Sequence, residues 1–151
     1  MSIVEGYTLE AMVGDSDDHR PETRWALLVD PGGPEGRVDT FAVIRERIAP
    51  GDRIPLHVHR DDEVVLVHGD GRDRLGDEEH DVADGAVVFI PACVPHGLAN
   101  PEPEPLPIDG IFATTRLWMR YLERNPAPGT DGDPPRAATY DVRTGEFTFD
   151  D

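Results

Sequence analysis

Short runs of β-forming residues, each cut off by glycine or proline, dominate this chain and point to an all-β sandwich or barrel. "YTLEAMV" (7–13), "TRWALLVD" (23–30) and "VDTFAVIRERIA" (38–49) read as early strands. They are followed by "IPLHVH" (54–59), "EVVLVH" (63–68), "GAVVFIP" (85–91), "HGLAN" (96–100) and "IDGIFATT" (108–115). The cluster "PGGPEG" (31–36) suits neither helix nor strand and reads as a turn. "GDG" at 69–71 predicts a hairpin, with φ > 0 open to its glycines.

The C-terminal third breaks this rhythm. In "TTRLWMRYLERN" (114–125), Leu117, Trp118, Tyr121 and Leu122 fall on one helical face. Thr114 or Thr115 can cap it and Pro126 ends it, so one helix is expected there. "PAPGTDGDPPR" (126–136) carries too little apolar content to fold and predicts a mobile linker. "ATYDVRTGEFTFDD" alternates like a strand or hairpin. The expected organisation is therefore a barrel domain over 1–125, a linker over 126–136 and a C-terminal tail over 137–151.

Charge excludes some partners. The chain has 31 acidic residues against 14 basic ones, a net −17, and all the basic residues are arginine. Such a surface repels phosphate backbones and anionic lipid, so neither nucleic acid nor membrane is expected as a partner. Residues 60–84 hold ten acids and three arginines, −7 of that charge, and read as a solvated face. The N-terminus lacks the basic stretch and apolar core of a signal peptide, and Cys93 is the sole cysteine. A reducing, cytoplasmic setting is the expectation.

The chemistry concentrates in "PLHVHRDDE" (55–63). Residues two apart on a strand face the same side, so His57 and His59 point together, into the interior or into solvent. Glu63 opens the next apolar strand after a short turn, and a third imidazole, His96, directly follows "GAVVFI" and its turn. Three nitrogens and one carboxylate oxygen suit Zn, Fe, Mn, Ni or Cu better than Mg or Ca. The alternative is a polar strand end where the histidines are incidental.

The same residues carry a family resemblance. "GDRIPLHVHRDDEVVLVHG" places Gly51, His57, His59 and Glu63 at the spacing of the first cupin motif, with the closing Gly69 one residue early. "GAVVFIPACVPHGLAN" places Gly85, Pro91, His96 and Asn100 at the spacing of the second, with Cys93 where the family usually has glycine. The chain thus resembles the cupins. The resemblance implies a double-stranded β-helix, or jelly-roll, barrel that holds one divalent metal through His57, His59, Glu63 and His96. Asn100 is not expected to ligate.

Other residues are weighed against these. His68 has the opposite parity to Glu63 and should face outward, while His19 and His80 sit in acidic, loop-like text. Cys93 is either a reactive thiol near the metal or, as expected here, a small buried hydrophobe. Arg45 and Arg47 share one face of their strand and Glu46 the other; either set could reach the barrel mouth, and an exposed edge is the expectation for the arginines. Parity puts Val65, Val67, Val87 and Phe89 in the interior, a lining suited to a hydrophobic or aromatic substrate. Cupins include dioxygenases, isomerases, decarboxylases and small polyketide cyclases, and fold alone does not choose among them. The expected function is a metal-dependent enzyme acting on an organic small molecule, with a non-catalytic metal-dependent binding or sensing module as the alternative. A homodimer is expected, because short strands leave edges to cover and cupins commonly associate.

Overall fold

A computed structural model describes residues 2–32 and 37–150; positions 33–36 of the turn cluster "PGGPEG" lie outside the described residues. The alternating text forms β1 (Glu10–Met12), β2 (Arg20–Leu28), β3 (Ala42–Ile48), β4 (His57–His59), β5 (Glu63–Val67) and β6 (Gly71–Leu75). After these come β7 (Glu78–Val82), β8 (Val87–Ile90), β9 (His96–Ala99), β10 (Leu106–Phe112), β11 (Arg116–Tyr121), β12 (Ala137–Asp141) and β13 (Glu146–Phe149). They build two sheets, ordered β1-β2-β3-β10-β5-β8 and β13-β12-β11-β4-β9-β6-β7. Between β3 and β11 the chain changes sheet at every connection except β6–β7. This winding is a double-stranded β-helix.

The "GDG" segment makes no hairpin. Strand β5 pairs with β8 and β10, whereas β6 pairs with β7 and β9 in the other sheet. Neither Gly69 nor Gly71 takes a positive φ. At Gly71 the requirement is space: a Cβ there would lie 2.7 Å from the Leu106 side chain and 3.2 Å from the Ala99 carbonyl. The charged run 60–84 also folds into β5, β6 and β7. Its acids are not uniformly solvated, since Glu63 and Asp73 are buried.

The expected C-terminal helix is a strand. No helix occurs among the described residues, and Arg116–Tyr121 forms β11, paired with β4 and β12. The apolar spacing Leu117, Trp118, Tyr121, Leu122 satisfied a helical period, but Leu117, Met119 and Tyr121 also satisfy a period of two. Sheet pairing decided between them, because β4 needs a backbone partner on that side, and tertiary context overrides a weak local pattern. Leu117 and Tyr121 are buried, Met119 faces the cavity between the sheets, and Leu122 is exposed. Trp118 stays outside, with the Arg60 guanidinium 3.9 Å above its ring and Asp150 accepting its indole N–H at 2.7 Å.

Residues 126–136 run as turns around the Arg124 guanidinium, which donates to the Thr130 and Asp133 carbonyls and pairs with Asp17 at 2.6 Å. The β12–β13 hairpin then extends the second sheet beside β11. The buried core comprises Ile48, Val65, Val67, Ile90, Leu98, Leu106 and Ile108. Of these, Val65, Ile90, Leu98 and Ile108 also line a cavity of about 540 Å³ between the sheets. Packing and site therefore share a wall.

Candidate metal centre

Strand parity brings the histidines of β4 inward: His57 and His59 are 7% and 4% exposed, with Val58 between them turned out. His57 pairs in register with His96, the first residue of β9. Glu63 opens β5, and Gly110 of the neighbouring β10 makes room for it, since a Cβ there would sit 2.8 Å from Glu63 Oε1. One ligand atom from each of His57, His59, Glu63 and His96 lies within 4.8 Å of the others. The four residues singled out from the motifs are thus brought together.

Hydrogen bonds on the far side of each ring fix what the near side offers. His57 Nδ1 meets the Pro55 carbonyl at 2.8 Å, His59 Nδ1 the Trp118 carbonyl at 3.2 Å, and His96 Nδ1 the Val94 carbonyl at 2.9 Å. A carbonyl only accepts, so each Nδ1 carries a proton, and in a neutral ring Nε2 then presents a lone pair. Those Nε2 atoms converge: His57 and His59 stand 3.0 Å apart at Nε2, and His96 Nε2 and Glu63 Oε2 are also 3.0 Å apart. Nitrogen and carboxylate atoms packed this closely need a shared cation, either a proton, as between His96 and Glu63, or a metal ion. The donor set fits one divalent transition ion, with backbone carbonyls orienting the imidazoles.

Electrostatics agree. Burial, then the neighbouring His96 and His59, hold His57 well below the usual imidazole range. Burial likewise lowers His59, although Glu63 opposes it. Burial acts downward on His96 too, but the hydrogen bond and charge of Glu63 lead a group of influences that leave it raised. Two of the three rings are therefore held neutral, the form that binds metal.

The Asn100 side chain is engaged away from the cluster. It donates to the Ile48 and Glu104 carbonyls at 2.9 Å and accepts from Glu102 N–H at 3.0 Å. The two motifs also clasp each other, with Gly51 N–H donating to Asn100 O and Asn100 N–H to Asp52 O. Cys93 corrects an expectation: it is exposed rather than buried. It is also the sole non-glycine with positive φ among the described residues, at 65°. Its N–H donates to His59 O at 2.7 Å, so this strained turn abuts the centre. Cys93→Gly should raise stability by up to about 1 kcal/mol, because left-handed backbone costs an L-residue roughly 1–2 kcal/mol and glycine's extra unfolded freedom returns part of that. A urea midpoint that falls in this variant would contradict the strain argument.

Val87 and Phe89 need a second correction, being 48% and 70% exposed. Register explains it: Glu63 pairs with Ile90 and Val65 with Val88, so on β8 the inward parity belongs to Val88 and Ile90. Val65 and Val67 are buried as expected. Arg45 lies on the outside with both Asp109 oxygens and Tyr7 OH as partners, and Arg47 is exposed. His68 is exposed beside Asp109 and His80 is exposed, whereas His19 is half-buried.

Several cavity residues escaped the motif reading. Glu46 lines the cavity from β3, 3.0 Å from the buried Arg20, which also grips Asp18 at 2.6 and 2.7 Å. Asp73 enters from β6, and Tyr121 OH donates to Asp15 at 3.1 Å. Burial pushes the Tyr121 phenol well above its usual range, and it raises the carboxyls of Asp15, Glu46 and Asp73. Parity held a signal for Glu46, an acid between Ile44 and Ile48 on the inward face of β3.

Residues 44–111 match the family profile described as a cupin domain. This chain carries a cupin domain. Solved structures share the cupin's fold: a sugar phosphate isomerase from a cupin superfamily of Silicibacter pomeroyi aligns with TM-score 0.59 and 22% identity, covering 85% of this chain and 75% of that one. A polyketide cyclase from Streptomyces resistomycificus gives TM-score 0.59 and 22% identity over 83% of this chain and 82% of its own. An RmlC-like cupin from Shewanella frigidimarina gives 0.57 and 19%, over 75% and 89%. No curated protein sequence matches. At these identities the likeness establishes the cupin fold and leaves the reaction to the site.

Proposed function

We propose that this cupin is an enzyme that binds one divalent first-row transition ion through His57, His59, Glu63 and His96 and acts on an organic small molecule held in the barrel. The observation that carries the reading is the gathering of ligand atoms from three imidazoles and one carboxylate within 4.8 Å of one another, while a carbonyl holds each Nδ1 proton. When bound, the ion supplies Lewis acidity or, if redox-active, electron transfer. A cavity of about 540 Å³ falls in the size range of small-molecule sites. Catalysis is favoured over a passive binding module because the wall holds proton-handling groups the ion does not use. Tyr121 gives its one hydroxyl proton to Asp15, so its oxygen can accept a hydrogen bond from a substrate hydroxyl, and Glu46 and Asp73 can accept or hold a proton. Isomerase, cyclase and dioxygenase chemistry all suit that arrangement.

Elemental analysis of natively purified protein tests the reading. About one equivalent of Zn, Fe, Mn, Ni or Cu per chain is expected, together with turnover of a co-purifying small molecule that chelation abolishes and the same ion restores. Protein that neither retains nor takes up an ion would refute it, and binding without turnover across the ion series would leave the sensing module.

A further inference from the structure

The cavity wall beyond the four metal-ligand candidates is unevenly charged. Glu46 and Asp73, 6% and 5% exposed, line it together with Asp15. The sequence contains no lysine, so the only permanently charged side chain that could neutralise an anionic ligand is arginine. Two arginines come near. Arg20 is 2% exposed, and its guanidinium is occupied by Asp18 and Glu46. Arg136 lines the cavity, but it donates to Ser16 Oγ at 2.5 Å, lies 3.4 Å from Asp17 and stacks 4.0 Å above Phe149. No other arginine lines the cavity among the described residues.

A phosphate monoester near neutral pH carries close to two negative charges. Sites for such groups present open arginine forks, lysines or helix N-termini. This cavity presents paired arginines and carboxylates, in a setting where like charges repel more strongly than in water. The two charges of a bound divalent ion would be offset by Glu63, Asp73 and the one net negative charge of the Arg20–Asp18–Glu46 cluster. The remaining wall suits flat apolar rings, with Trp25, Phe112, Leu117, Met119 and Tyr140 among its surfaces. Carboxylates accept hydrogen bonds from ligand hydroxyls, which an uncharged phenol or alcohol supplies.

We propose that the cavity binds uncharged, hydroxyl-bearing ring compounds and rejects their phosphate esters, with Glu46 and Asp73 setting the rejection. The proposal rests on the reading that the barrel cavity is the ligand site. Its probes are 1-naphthol and 1-naphthyl phosphate, which share a ring system and differ in charge.

Calorimetric titration of the zinc-treated full chain near neutral pH, with zinc content measured in every sample, tests it. 1-Naphthol should bind at about one per chain and at least tenfold tighter than the ester. Asp73→Asn and Glu46→Gln should each narrow that ratio at least threefold, whereas Glu78→Gln, on a side chain 79% exposed, should leave it unchanged. Should Glu46→Gln fail to fold, Asp73→Asn decides alone. An ester that binds as tightly as 1-naphthol, no binding of 1-naphthol, or a ratio that Asp73→Asn does not move would overturn the proposal. Zinc content separates the two readings. A chain without zinc that still prefers 1-naphthol removes the metal assignment and keeps the selectivity, and a zinc-loaded chain that prefers the ester does the reverse.

Discussion

Replacing His57 or His96 with alanine should weaken metal binding by at least about 100-fold, while His68→Ala leaves it unchanged. Each loss removes one Nε2 from a cluster whose ligand atoms lie within 4.8 Å of one another, and the remaining donors cannot shift to replace it. The rings are locked from behind by the Pro55 and Val94 carbonyls, so the geometry is lost with the bond. His68 points outward to Asp109 and serves as the control. The barrel should keep its circular dichroism spectrum, because its apolar core does not include these histidines.

Acid provides a second arm to that experiment. A protonated imidazole cannot bind metal, so occupancy should fall as pH drops below about 6. His96 should take up its proton first, since its affinity for one is raised while burial depresses that of His57 and His59. Metal content that survives in His57→Ala and His96→Ala but is lost in His68→Ala would refute the assignment.

Arg20→Ala should cost about 3–5 kcal/mol, the usual consequence of stripping one partner from a buried ion cluster. Arg20 is among the largest fully buried side chains and holds Asp18 and Glu46 together. Without it two buried carboxylates face each other unpaired. For a chain of this size the loss corresponds to a fall in Tm of roughly 6–20 °C. The pH dependence has a definite sign. Burial already raises Glu46 above its ordinary 4.5, and removing Arg20 removes an influence that lowers it. A carboxyl raised in the folded state favours folding below its unfolded pKa, and that contribution is lost as pH rises through the folded value. The variant's deficit should therefore be smaller near pH 4.5 than near pH 8. A Tm within about 2 °C of the parent near pH 8 would mean the cluster contributes little to stability.

Much of this was legible in the chain itself. That His57 and His59 point to the same side follows from the covalent geometry of any extended strand, and the packing of the two sheets made that side the interior. Glu63 and His96 open strands β5 and β9, and their spacing in the two motifs located them. What failed did so where a local pattern permits two answers. Leu117, Trp118, Tyr121 and Leu122 fit a helical face, and only pairing with β4 and β12 made the segment a strand. Phe89 and Ile90 could each have faced inward, and the register of β8 against β5 chose Ile90.

The sequence by itself determined the β class, the two-motif framework and the four residues of the candidate metal cluster, because punctuation by glycine and proline, strand parity and motif spacing are local properties. Tertiary structure alone decided which partners the polar groups of the cavity wall take. Glu46 meets Arg20 across 26 residues, and Tyr121 meets Asp15 across 106. No periodicity encodes such meetings. They exist because β2, β3 and β11 take particular neighbours when the sheets close, and burial then turns ordinary side chains into the charges a ligand would encounter.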